Sequence, residues 1–235
     1  TVVHNAEKMK KLLTFILLII GLKVFATPQI SDVLIYNGKE YEWNGYSPAF
    51  KYFEQDNLQP PKEAITTTAN YSVFIMTYEI INQKLFLIDV EILAEEESEY
   101  GSDYPPDLVD KSVFKKYFPN EDKILMDLYT NIQVIPYGEI IEVTKNEWTD
   151  IHWENYLVFE IKNGTVTKEL DLNYKQFKRL KKKQFRAFKK TAEYQKAVEN
   201  EKENFEGFNE WYKPKDYTMD EYLESIIMRL IIRLK

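Results

Sequence analysis

Four groups of residues have side chains and spacings that chemistry could use. His152 stands in Asp150-Ile151-His152-Trp153-Glu154 and is the only histidine after residue 26. Alternate residues of a strand share a side, so Asp150 and Glu154 would flank the imidazole and Trp153 would not. That is the setting of a general base with a carboxylate neighbour. No Ser or Cys accompanies it in a nucleophile motif, and a surface or interface histidine is the simpler reading. Asp89 and Glu91, two apart in a strand pattern, form a carboxylate pair. Such a pair could act as acid and nucleophile on a glycoside or hold a hard cation. Alternation alone also places polar residues on a solvated sheet face.

The acidic stretch 94–106 offers oxygen ligands but lacks the spacing and glycine of an EF-hand loop, and it reads as a solvated loop. The densest charge run is Lys178, Arg179, Lys181, Lys182, Lys183, Arg186, Lys189 and Lys190, with Lys181, Lys182, Arg186 and Lys189 as its binding candidates. It could meet another protein or an anionic envelope component. The competing reading is a solvated helix face balanced by Glu193, Glu199, Glu201 and Glu203. No G-x-G-x-x-G or Walker pattern occurs, and neither a cofactor nor a metal site is expected.

The segments that must position these residues begin with an export signal. Met9 precedes Lys10-Lys11, an apolar run from Leu12 to Leu22, and Val24-Phe25-Ala26. A basic start, an apolar stretch of this length and a small residue at the cut are the features of a secretory leader. The run is shorter than the roughly 20 apolar residues a membrane span needs. We therefore expect cleavage after Ala26, a mature chain in the periplasm or outside the cell, and membrane contact only through the leader. No cysteine exists to carry a lipid, a disulfide, a thiol nucleophile or a thiolate zinc site. Residues 1–26 hold four lysines and one glutamate, so their removal takes the net charge from -7 to -10. Such an acidic chain is repelled by nucleic-acid phosphates, and no nucleic-acid partner is expected.

Downstream, residues 27–235 read as one α+β domain, hairpin-rich over 30–172 and helical over 173–235. Val33–Tyr36, Asn37-Gly38 and Lys39–Trp43 form a hairpin pattern, because Asn-Gly accepts the positive φ pair of a type I′ turn. Ser47-Pro48 looks like the cap and first residue of a short helix bearing Phe50 and Phe53. A strand over 71–81 and its return over 84–93 alternate cleanly around Asn82-Gln83. That predicts one face with Leu85, Leu87, Asp89 and Glu91, and another with Phe86, Ile88, Val90 and Ile92. A short helix is expected over 110–118. Strands at 132–135 and 139–143 flank Pro136-Tyr137-Gly138, and a hairpin spans 156–172 around Asn163-Gly164. Asn173 with Gln176 then opens one long helix to about Glu203, and Thr218 with Glu221 opens a final helix. The expected fold is an antiparallel hairpin-rich sheet with a long helix and a C-terminal helix packed on one side or end.

The stretches LIYNGKEYEW, TYEIINQKLFLIDVEI, VIPYGEIIE and YLVFEIKNGTVTKELDLNYKQFKRLKKKQFRAFKKTAEYQKA, together spanning about Val33 to Ala197, resemble an uncharacterised family of small exported bacterial proteins. The resemblance implies a small single domain with no assigned activity and no catalytic residues to carry over. It also implies kinship with immunity or partner proteins of secreted toxins. The expected function is therefore an exported, non-enzymatic binding or immunity-like protein. An envelope hydrolase using Asp89, Glu91 and His152 is the alternative. The leader reading is tested directly: Ala26→Arg is expected to block processing, and N-terminal sequencing of the exported protein should begin at Thr27. A mature chain beginning at Met9 or earlier would overturn it.

Overall fold

The computed structural model describes residues 30–70, 72–96, 107–145, 148–212 and 216–235. The leader and most of the acidic stretch 94–106 lie outside the described residues. Within them the chain is α+β, with nine strands in one mostly antiparallel sheet and seven helices. None of these helices is long and apolar enough to cross a membrane.

Strands β1 (Asp32–Tyr36) and β2 (Lys39–Trp43) are joined by Asn37 at φ 51° and Gly38 at φ 72°. β3 (Phe74–Ile81) and β4 (Lys84–Glu95) turn through Asn82 and Gln83 at φ 49° and 62°. β8 (Trp148–Lys162) and β9 (Thr165–Asn173) turn through Asn163 and Gly164 at φ 47° and 70°. All three are left-handed residue pairs, whose twist matches that of the flanking strands. β5 (Leu108–Ser112) and β6 (Ile124–Leu125) also pair with β4. With β7 spanning Asn131–Lys145, the sheet order is β2-β1-β3-β4-β9-β8-β7, with only β1 and β3 parallel. The two outer strands, β2 and β7, approach each other. The Gln133 side chain donates to the Asn44 carbonyl at 3.3 Å, and the rings of Tyr41 and Tyr137 meet edge-on at 5.6 Å.

The sheet thus curls around a first core that includes Leu34, Trp43, Tyr78, Leu85, Leu87, Ile135, Leu157 and Phe159. A second core joins Ile132, Tyr156 and Val158 to helical residues that include Phe177, Phe185, Leu223 and Ile227. β8 is buried on both faces, because Tyr156 and Val158 turn to the helices while Leu157, Phe159 and Ile161 turn inward.

Several elements differ from expectation. β4 carries a bulge: Thr77 opposes Asp89 while Tyr78 opposes Leu87, so Ile88 is the extra residue. Beyond it the inward phase changes by one, and Leu85, Leu87, Val90 and Ile92 are all fully buried. The expected two-faced division therefore holds only on each side of the bulge, as an unpaired residue must re-aim the strand. Strand pairing starts at Phe74, since Asn70, Ser72 and Val73 form a turn in which Asn70 donates to the Val73 carbonyl at 3.0 Å. Pro136-Tyr137-Gly138 does not break β7. Residues 138 and 139 bulge opposite Glu154, with Gly138 at φ 85°. Residues 108–112 pair with β4, leaving only the four-residue helix α2 (Phe114–Tyr117).

Helix α1 (Phe50–Gln55) starts two residues later than Ser47-Pro48 predicts, so its N-cap is Ala49, which has no side-chain acceptor, while the Ser47 hydroxyl bonds to Tyr78. The expected long helix is divided into α3 (Tyr174–Phe188), α4 (Glu193–Asn200) and α5 (Lys202–Trp211). Both the backbone N–H and the hydroxyl of Thr191 donate to the Phe188 carbonyl, at 2.9 and 2.8 Å. In an unbroken helix Ala197 would sit about 200° around the axis from Phe177 and face solvent. The break resets the phase and lets Ala197 enter the second core beside Phe177. The capping boxes Asn173/Gln176 and Thr218/Glu221 are both formed, at α3 and at α6 (Met219–Ser225). A turn at Ile226 leads into α7 (Ile227–Leu230).

Gly164 joins the two halves of the sheet. Its N–H donates to the Tyr129 carbonyl at 2.9 Å, and its carbonyl accepts from Leu85 at 2.8 Å. A Cβ there would lie 2.7 Å from the Met126 carbonyl oxygen. Gly164→Ala combines positive φ with a backbone clash and should cost at least about 2 kcal/mol. Urea unfolding checks this, with Gly38→Ala, whose Cβ meets nothing within 4 Å, as the milder comparison.

Candidate functional site

A groove of about 590 Å³ opens between β8, the start of α3, the end of α5 and α6. Its floor follows from the alternation of β8 and the helical period of α3. His152 and Tyr156 project from the same side of the strand, and Tyr174 and Phe177 lie one turn apart on the helix. The rings pair accordingly, His152 on Tyr174 with centroids at 4.4 Å and Tyr156 on Phe177 at 4.1 Å. The ammonium groups of Lys178 and Lys181 sit over the same helical rings, 5.9 Å from Tyr174 and 5.5 Å from Phe177. Such contacts hold a cation at the rim without burying it.

The facing wall is a ring cluster on α5 and the segment that follows it. Phe208 lies 4.5 Å from Tyr212 and 5.0 Å from Tyr217, and those two tyrosines are 5.7 Å apart. These spacings are packed contacts and leave no room for a cation between the rings. The Asn209 amide both donates to and accepts from the Tyr217 backbone, each at 3.0 Å, which fixes Tyr217 against the wall. From α6 come Glu221, Glu224 and Ser225. Glu221 completes the helix cap by accepting from the Thr218 N–H at 2.9 Å.

The groove answers what chemistry the expected residues can do together. It holds His152 but neither Asp89, Glu91 nor Glu154. Glu154 packs over the Gly138 bulge, its carboxylate 3.0 Å from where a Cβ would be, and the Asp150 side chain lies outside the described residues. Ser225 shares the groove with His152, yet its hydroxyl donates to the Tyr222 carbonyl at 2.6 Å and is not presented to the imidazole. A nucleophile and base arrangement needs that proton directed at the base.

Asp89 and Glu91 stay together on the outer face of β4. Asp89 accepts from the Ser112 hydroxyl at 2.6 Å and from the Val90 N–H at 2.8 Å. Partial burial, and then Asp89 and Asp110, raise the Glu91 pKa. The pairing Lys84↔Thr165 is antiparallel, so β4 runs away from that bridge in one direction while β9 leads towards the groove in the other. This topology separates the carboxylate pair from His152. Among the described residues no group of three or more His, Asp or Glu is placed to hold a metal ion.

Lys182 and Arg186 are exposed on the outer face of α3, and Lys189 pairs with Asp220 at 2.5 Å. The expected balance with Glu193, Glu199, Glu201 and Glu203 does not form for Lys182 or Arg186, which make no ion pair among the described residues. Glu201 instead accepts from the Tyr222 hydroxyl at 2.8 Å and from the Asn204 amide at 3.0 Å.

Sequence reasoning missed Tyr212, Tyr217 and Glu224. Their only advance signal was the density of Tyr and Phe beyond residue 203. It also missed Asp32, which lines a smaller cavity of about 200 Å³ with Ser47 and Trp43. Asp32 accepts from the Met76 N–H at 2.9 Å and bonds to Ser47, whose hydroxyl lies 2.5 Å from that of Tyr78. Comparison with protein-family models, curated proteins and solved structures finds no match to this chain.

Burial raises the Asp32 pKa to about 6 from its ordinary 3.8, against the opposing pull of its hydrogen bonds to Ser47 and Met76. A raised carboxyl pKa means that the folded state binds the proton more tightly. Its contribution to stability is complete below pH 3.8 and is lost as pH rises through about 6. Asp32→Asn mimics the protonated form and should stabilise the protein by about 2 kcal/mol above neutrality, with the gain vanishing near pH 4. Thermal melts at the two pH values check this, and an equal difference at both would contradict it.

Proposed function

We propose that the chain is an exported, non-enzymatic binding protein of the immunity-like kind, with the aromatic groove as its recognition site. The observation that carries this reading is the groove lining. It consists of stacked rings with charged side chains at the rim, and the hydroxyl of Ser225, its one serine, is committed to a backbone carbonyl. Large rigid rings give contact area at low cost in side-chain entropy. A volume of about 590 Å³ is in the range of pockets that accept ligands or anchoring side chains.

Neighbouring exposed apolar residues extend the surface. Trp211, at the end of α5, is 85% exposed, and Ile151 at the groove edge is 59% exposed. Exposed apolar side chains beside a groove mark an interaction surface more than scattered ones do. In this reading the helical segment is a layer docked on one side of the sheet, and its free edge with β8 forms the mouth. The leader features at Lys10-Lys11 and Val24-Phe25-Ala26 support the exported part of this reading.

The test is a comparison. Tagged wild-type protein and the double variant Lys178→Glu/Tyr212→Ala are incubated with an envelope extract of the source cells. Matching circular dichroism spectra show that both are folded. The expected result is a partner retained by the wild type and lost by the variant. No partner above background, or the same partner on both proteins, would falsify the proposal.

A further inference from the structure

We infer that α3 and the groove together bind an acidic segment of a partner protein. An aromatic side chain of that segment occupies the groove, and its carboxylates lie along the cationic face of the helix. The inference rests on the binding reading above and supplies the chemistry of the partner.

Residues 174–192 contain no Asp or Glu, whereas the whole chain carries a net charge of -7. Lys175, Arg179, Lys182, Lys183, Arg186 and Lys190 are all exposed. At about 100° per residue the five within α3 fall in one arc of about 100°, and Lys190 follows in the turn after it. The opposite arc is buried through Phe177, Gln184 and Phe188. None of the six makes a salt bridge among the described residues. Like charges three and four residues apart repel one another and weaken the helix. The strip therefore stands against its own stability in an otherwise acidic molecule. It runs into the groove through Lys178 and Lys181, which cap the rings of Tyr174 and Phe177.

Three anionic partners compete for such a strip. A membrane-lying helix must turn an apolar face to the lipid, but the apolar face of α3 is spent on the second core. A nucleic acid presents uninterrupted negative charge to a chain of net -7, and Glu224 sits on the facing wall of the groove. An acidic polypeptide places its charge only where the strip is and its ring where the groove is. Its backbone and uncharged residues pass the glutamates without penalty. Charge complementarity of this kind raises association rate and selectivity together.

Fluorescence anisotropy with the full-length mature protein tests this. The probe is a fluorescein-labelled peptide Ser-Gly-Trp-Glu-Glu-Ser-Glu-Glu-Ser-Glu. Companion probes replace every Glu by Gln, or Trp by Ser. Phosphatidylglycerol vesicles and a single-stranded oligothymidylate are the remaining probes. Salt-sensitive binding of the acidic Trp peptide is expected, weakened about tenfold or more by Lys182→Glu/Arg186→Glu and by loss of either the Trp or the carboxylates. Both substituted side chains are exposed, and circular dichroism confirms that the variant is folded. Equal binding of the Gln or Ser peptides, preference for vesicles or oligonucleotide, or indifference to the double variant overturns the inference. If the acidic Trp peptide fails while the groove variant still loses its envelope partner, this inference falls and the binding reading stands.

Discussion

The structure depends on one junction, where the tips of two hairpins meet. The β3–β4 turn and the β8–β9 turn exchange backbone hydrogen bonds, Leu85 to Gly164 at 2.8 Å and Val166 to Gln83 at 2.8 Å. The same turns hold the loop around β6, through Met126 to Leu85 at 3.0 Å and Gly164 to Tyr129 at 2.9 Å. The β4–β9 pairing consists of the single register position Lys84↔Thr165. Within the ladder, the β1–β6 side is therefore tied to the β7–β9 side at this junction by a few bonds placed by left-handed turns, while β2 and β7 meet at the far edge. The first core seals that connection by burying residues from both halves against each other.

From this junction the roles of the strands follow. β9 and β8 lead away from it toward the groove, and β8 carries the load of both cores. Its alternation sends Leu157, Phe159 and Ile161 into the curled sheet and Tyr156 and Val158 to the helices. A strand buried on both sides resists register slip, because a shift by one residue would exchange the two sets. His152 and Tyr156 inherit that rigidity. The groove floor is positioned by a strand that is buried on both faces from Tyr156 onward, and its far wall by short helical segments tied down through Asn209 and the Thr218 cap. A recognition surface built this way presents rings with little ordering left to do on binding.

The charge distribution follows from the same packing. α3 uses its apolar stripe on the second core, which forces its lysines and arginines outward as one strip. Asp220 reaches back from α6 to Lys189 and Tyr194, tying α6 to the end of α3, while Lys175, Arg179, Lys182, Lys183 and Arg186 make no salt bridge among the described residues. The outcome is a cationic face and an aromatic groove sharing one helix.

Much of this was legible in the residues alone. The absence of cysteine, the α+β class, the three left-handed turns and both capping boxes rest on local chemistry, where two to four neighbouring residues decide the conformation. Features set by non-local pairing were not. The bulge at Ile88 depends on how β4 must fit both β3 and β5, and it alone puts Val90 and Ile92 in the same core as Leu85 and Leu87. The division of the long helix depends on what the second core requires of Ala197. His152, Asp89 and Glu91 were readable as candidates, but their separation was decided by the direction in which β4 and β9 leave their shared bridge. The groove itself joins residues from 151 to 225, and no local pattern connects Tyr174 with Tyr212 and Tyr217. Residue types and short spacings determined the pieces; only the packing of β8 against the helices decided which of them face one another.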